Sequence, residues 1–232
     1  MKAYETIQII LAGNTYAYNL FQNIFGNDPS MEQFEILTNE MTKEALDIFN
    51  MQDKQEYSIR INELEEFARR FHKDKHAVLE QVRTEYTRLF IGPGKLPAPP
   101  WESVYRTDAR LLFQESTLEI RRRYLKYQFL PAEYPRVADD HLALELDFMA
   151  NLSSMAEKAC EDNDFKKLNR LLEEQKDFIT NHLFKWIPEF SKKMQESSTS
   201  YLYPSMANLL NEFLVIQMEV LDEINDKVLI AI

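Results

Sequence analysis

Residues 139–161, DDHLALELDFMANLSSMAEKACE, decide the fold class. Apolar side chains recur there at helical spacing on two sides: Leu142, Leu146 and Met149 form one row, and Leu144, Phe148, Leu152 and Met155 the other. A helix at a protein surface carries one apolar stripe, so two rows predict a central helix covered on most sides. Such a helix needs others around it, and the flanking sequence supplies them. Downstream, Phe165, Leu168, Leu172, Phe178, Ile179, Leu183 and Trp186 predict a helix that breaks near Pro188. Leu209, Leu210, Phe213, Val220, Leu221 and Ile224 predict a last helix after Pro204. Upstream, Leu111, Leu112, Leu118 and Tyr124 predict a helix with a basic end at Arg121-Arg122-Arg123, read as a solvated charge run.

Further upstream the pattern persists. Ile7, Leu11, Tyr18, Phe21 and Phe25 share one helical face, followed by a turn at Gly26-Asn27-Asp28-Pro29 and an N-cap at Ser30. Leu64, Phe67, Ala68 and Phe71 mark another helix, ended by a polar break at Lys73-Asp74-Lys75. Val78, Val82, Tyr86, Leu89 and Phe90 mark the next. Glycine occurs only four times, and no convincing strand alternation is found. The expectation is an all-α fold: one helical bundle domain spanning residues 1–232.

One segment breaks the helical texture. Residues 91–105 read IGPGKLPAPPWESVY and hold four of the nine prolines and two of the four glycines. Pro97, Pro99 and Pro100 forbid helix and push their predecessors towards extended backbone. The segment is a stiff loop between an N-terminal part, 1–90, and a longer C-terminal part, 106–232.

Composition narrows the function. The net charge is −11, from 27 Lys+Arg against 38 Asp+Glu, which repels nucleic-acid phosphates and attracts a basic peptide. No apolar run approaches the roughly 20 residues of a membrane span, and the N-terminus does not read as a signal peptide. The single cysteine, Cys160, permits no intrachain disulfide and reads as a buried thiol in a reducing cytoplasm.

Catalytic patterns are sparse. No P-loop, nucleophile elbow or dinucleotide fingerprint occurs. His72 and His76 share helical spacing, but no third ligand accompanies them. Asp140, His141 and Glu145 could centre a metal-dependent helical hydrolase, the alternative reading. Such enzymes use a His-Asp dipeptide, and none of the four histidines here precedes an aspartate. The expectation is therefore no catalytic residues, no metal and no cofactor.

Two motifs carry a resemblance. The run from Glu85 to Tyr105, with its Pro-Ala-Pro-Pro-Trp-Glu-Ser-Val-Tyr end, and the segment Asp140-His141-Leu142-Ala143-Leu144-Glu145-Leu146 are similar to signatures of the TorD/DmsD family of redox enzyme maturation chaperones. The first motif is most like the DmsD branch. Val137-Ala138 stand where the family pattern has Glu-Pro, which puts fine specificity at stake. The resemblance implies an all-α cytoplasmic chaperone without catalytic activity. It implies binding to the twin-arginine signal peptide and catalytic subunit of a molybdopterin oxidoreductase, for maturation and proofreading before export. Components of the twin-arginine translocon are the further partner implied. Guanine-nucleotide binding, proposed in the family, finds no site in this sequence.

A leader of that kind presents two arginines and then an apolar stretch. Its receptor needs carboxylates for the guanidinium groups and an apolar groove beside them. Asp140 and Asp139 are the leading acids, with Glu102 and Glu145 behind them. Tyr86, Leu89, Phe90, Pro100 and Trp101 would build the groove, with one of Leu89 and Phe90 turned to the core. His141 would bond a peptide carbonyl or orient a carboxylate, and titrate near neutrality. Each residue also has a structural reading: Asp140 as a helix cap, and Trp101 as a plug pinning the loop to the core.

Overall fold

The computed structural model describes residues 2–50, 54–92, 94–106, 114–131, 137–197 and 202–231. Leu111, Leu112 and Pro93 of the sequence reading lie outside them. The described residues form an all-α bundle. In chain order the helices are α1 (Lys2–Gly26), α2 (Met31–Leu37), α3 (Glu40–Asp47), α4 (Gln55–Lys73), α5 (Lys75–Tyr86), α6 (Glu102–Arg106), α7 (Glu115–Lys126), α8 (Leu142–Glu161), α9 (Phe165–Phe178), α10 (Phe184–Ser197) and α11 (Leu202–Ala231).

The helix read as central is central. In α8 both apolar rows are buried apart from Met155, which is half-buried. α1 lies along one side of α8 and α9 along another, while α11 packs on α4, α9 and α10. The α1–α8 approach is close enough to decide a residue: a Cβ on Gly26 would stand 2.7 Å from the Ala143 Cβ. Ser153 of α8 donates to the Leu11 carbonyl of α1 across the same contact, at 3.3 Å.

Polar punctuation sets the ends as expected. Ser30 Oγ accepts the Gln33 N–H at the start of α2, and Asp74 Oδ1 accepts the Ala77 N–H at the start of α5. Cys160 is buried, and burial pushes its thiol up.

Three expectations need correction. The helix carrying Trp186 does not break at Pro188, which lies inside α10. Instead a π-helical turn, Ile179–Leu183, joins α9 to α10 and shifts their register. Proline removes a single N–H there, and the buried Trp186, Ile187 and Phe190 around it hold the helix against that loss. A second π-turn, Thr87–Ile91, extends α5 into the proline-rich loop. The arginines of α7 are not a plain solvated run. Arg121 pairs with Asp139, and Arg123 pairs with Glu174 at 2.7 Å and with Asp177. Finally, the loop read at 91–105 is shorter at both ends, because Ile91 closes the second π-turn and residues 102–105 lie in α6; among the described residues an isolated antiparallel bridge joins Trp101 and His141 in an otherwise strand-free fold.

Candidate functional site

That bridge brings the two sequence motifs together. The Leu142 N–H donates to the Pro100 carbonyl at 2.9 Å, and the Glu102 N–H donates to the Asp140 carbonyl at 3.0 Å. The Trp101 and His141 rings meet edge to face, with centroids 5.2 Å apart. The proline-rich loop is thus stitched to the start of α8, 37 residues further on where the Ser103 N–H reaches Asp140 Oδ2 at 2.8 Å.

This last bond changes the role of Asp140. It caps α6, the short helix after the loop, and not α8. The cap of α8 is His141, whose Nδ1 accepts the Ala143 N–H at 3.1 Å. An accepting Nδ1 places the ring proton on Nε2, and burial pushes the imidazole down to about 4. His141 is therefore neutral around pH 7, contrary to the expectation that it titrates there.

The four acids gather beneath the loop. Asp139, Asp140, Glu102 and Glu145 are all buried. Glu102 takes the Arg106 guanidinium on Oε1 at 3.0 Å and faces His182 Nδ1 through Oε2, also at 3.0 Å. Glu145 accepts the Trp186 indole N–H at 3.2 Å. Asp139 holds Arg121. Asp140 keeps one oxygen, Oδ1, buried with no hydrogen-bond partner. A buried carboxylate oxygen without a donor is costly, and such a group in a native fold needs an explanation.

Burial pushes the Glu145 carboxyl well up, and the negative charges of Glu102 and Asp140 push it further; the Trp186 bond acts the other way. The consequence is testable. A raised folded-state carboxyl contributes stability fully below its unfolded value, near 4.5, and that stability drains away as pH rises through the folded value. Glu145→Gln keeps the shape without the proton equilibrium. It is expected to match the parent near pH 4 and to exceed it at pH 8, by about 1 kcal/mol. Urea midpoints at the two pH values measure this. A gap that stays constant with pH would show that Glu145 titrates normally.

The groove residues separate. Leu89 is in the core, Tyr86 is buried against Phe90 and Tyr203, and Phe90 is half-buried, with its ring against Tyr203. Pro100 is buried and Trp101 partly exposed. Trp101 lines a groove of about 200 Å³ with Leu96, Pro97, Pro99 and Val104, rimmed by Lys95 and Lys193. Tyr86, Leu89, Phe90 and Pro100 are not in its lining. Sequence reasoning missed Ser103, Arg106, Arg121, His182 and Trp186. The one available signal was His182 and Trp186, two polar-tipped side chains four residues apart on an apolar face.

For a metal-dependent hydrolase, one potential ligand atom of each candidate is already engaged. His141 Nδ1 is bonded to the backbone, Glu145 to an indole and Asp140 to a backbone N–H. Among the described residues, no three His, Cys, Asp or Glu side chains gather to hold a metal ion. His72 and His76 are both exposed. Among the same residues, no helix is long and apolar enough to cross a membrane.

Known proteins similar to this chain point to one family. The sequence profile of the nitrate reductase delta subunit family matches residues 51–192, which contain both motifs. The chaperone protein TorD of Vibrio cholerae is 29% identical over 172 residues, 74% of this chain and 76% of that protein. The chaperone proteins TorD of Aliivibrio salmonicida and Aliivibrio fischeri are 26% and 27% identical, each over 80% of this chain and 89% of the relative. The all-α bundle, the stitched pair of motifs and these matches together make the chain a member of the nitrate reductase delta subunit family, within its TorD/DmsD group of redox enzyme maturation chaperones.

Proposed function

We propose that this chaperone binds the twin-arginine leader of a molybdopterin-dependent oxidoreductase subunit in the cytoplasm, and holds that subunit until it is ready for export. The observation that carries the reading is the bridge between Trp101 and His141, which ties the loop lining the apolar groove to the segment carrying the buried Asp139 and Asp140. The leader's apolar stretch would lie in the groove of Leu96, Pro97, Pro99, Trp101 and Val104. Its arginines would reach Asp139, Asp140 and Glu102. Asp140 Oδ1, buried without a donor, is an acceptor for one guanidinium N–H. Glu145 and His141 support that floor from α8.

Access to Asp140 requires the loop to lift, because its carboxylate is buried against Ser103. The loop is held to the start of α8 by two backbone hydrogen bonds, the Ser103 N–H on Asp140 and one ring contact, few ties compared with the buried core beneath. No step makes or breaks a covalent bond, so the role is binding and not catalysis.

The test is a titration of the purified protein with a synthetic leader peptide. An Arg-Arg peptide should bind, and a Lys-Lys version should bind more weakly because ammonium groups cannot make the bidentate bonds. Asp140→Asn should weaken the Arg-Arg peptide by about 1–3 kcal/mol, the scale of a charge-assisted bond. Equal affinity for both peptides would remove leader recognition. Unchanged affinity of a folded Asp140→Asn would remove Asp140 from the site.

A further inference from the structure

Two of the four acids are roofed by arginines of the chain itself. Arg121 lays Nε and Nη2 on Asp139 Oδ2, at 2.8 and 2.6 Å. Arg106 places Nη1 on Glu102 Oε1 at 3.0 Å. In both pairs the acid's side chain is buried, at 3% and 0% exposure, while the arginine's side chain is partly exposed, at 45% and 31%. The pairs sit side by side. Arg106 ends α6 and Arg121 lies on α7, two helices packed on each other. Glu102 donates its N–H to the residue that follows Asp139.

The order of layers matters. An arginine arriving from solution meets a cation before it meets the acid. A buried carboxylate cannot be left bare cheaply, so each acid needs a partner whenever no ligand is present. The chain supplies that partner in the same chemical form the leader would bring. Guanidinium for guanidinium keeps the hydrogen bonds and the charge balance of the floor, and an incoming lysine does not.

We propose that Arg121 and Arg106 are resident stand-ins for the paired arginines of a leader, keeping Asp139 and Glu102 occupied until a leader displaces them. This rests on the leader-binding reading above. It makes the arginine contribution an exchange, with the apolar stretch supplying most of the net affinity. Specificity follows, because a peptide without two arginines cannot complete the swap. It also makes equilibrium binding only weakly dependent on salt, since one ion pair replaces another.

The experiment compares the parent protein with Arg121→Gln, Arg121→Lys and Arg106→Lys, using the same synthetic Arg-Arg peptide at low and high salt. Arg121→Gln leaves Asp139 open to the ligand. It should bind on the order of tenfold tighter than the parent, and lose more affinity as salt rises. The lysine variants keep the charge but lose the fork, and should fall between. Far-UV circular dichroism checks the fold; if Arg121→Gln does not fold, the two lysine variants carry the comparison. Parent binding with equal or weaker binding by the folded variants overturns the stand-in role and leaves leader recognition intact. No binding by any protein, parent included, overturns both.

Discussion

Replacing Trp186 by alanine is expected to cost about 3–5 kcal/mol of folding stability, the range for a buried tryptophan. The side chain is fully buried. Its ring lies 5.4 Å from both Tyr105 and Phe190, measured between centroids, so it ties α6 to α10. Its indole N–H is the donor that Glu145 uses inside the bundle. Alanine removes the packing and leaves that carboxyl oxygen without a donor in a dry place, and the two losses reinforce each other. Against a whole-domain stability of about 5–15 kcal/mol, this is enough to populate unfolded chains. Urea unfolding followed by far-UV circular dichroism measures it. Trp186→Phe separates the two contributions, because it keeps most of the ring packing and drops only the donor, at about 1–2 kcal/mol. A loss below about 1 kcal/mol for alanine would mean the floor of the site is not built on this residue.

The opposite balance is expected at Trp101. Trp101→Ala should leave the bundle folded, because this ring is partly exposed and closes a loop instead of filling the core. Leader affinity should fall by about 2 kcal/mol or more, some thirtyfold, as for a central aromatic anchor at an interface. The groove loses its largest apolar wall and the His141 ring loses its edge contact, so the loop no longer rests in one place. Trp101→Phe should recover part of the loss. Binding by fluorescence anisotropy of a labelled leader gives the affinity, and thermal unfolding shows whether the fold is intact. A folded Trp101→Ala with parental affinity would take the groove out of the proposal.

The contrast between the two tryptophans shows how far a sequence can be read. Trp186 falls in a helical pattern with Ile179 and Leu183, and periodicity alone places it in the core. Its hydrogen bond to Glu145 spans 41 residues and leaves no local trace. Asp140 is similar. A carboxylate at the start of an apolar run reads as a cap for that run, yet the nearer cap is His141, and Asp140 serves α6 across the loop. The bases on α7 mislead for the same reason. Three consecutive arginines look solvated until α7 is laid beside Asp139 and Glu174.

Periodicity, proline placement and the scarcity of glycine determined the long helices, the central place of α8 and the helix-free stretch around Pro97, Pro99 and Pro100, because these depend on neighbours three or four residues away. Side-chain types alone also marked the acids and the aromatic residues as the chemistry worth watching. Only the tertiary structure decided that the acids are buried, which arginines sit on them, and that Asp140 Oδ1 has no donor. Burial and pairing are set by residues far apart along the chain, and the hydrogen-bond partner of a buried group is chosen by packing, not by sequence distance.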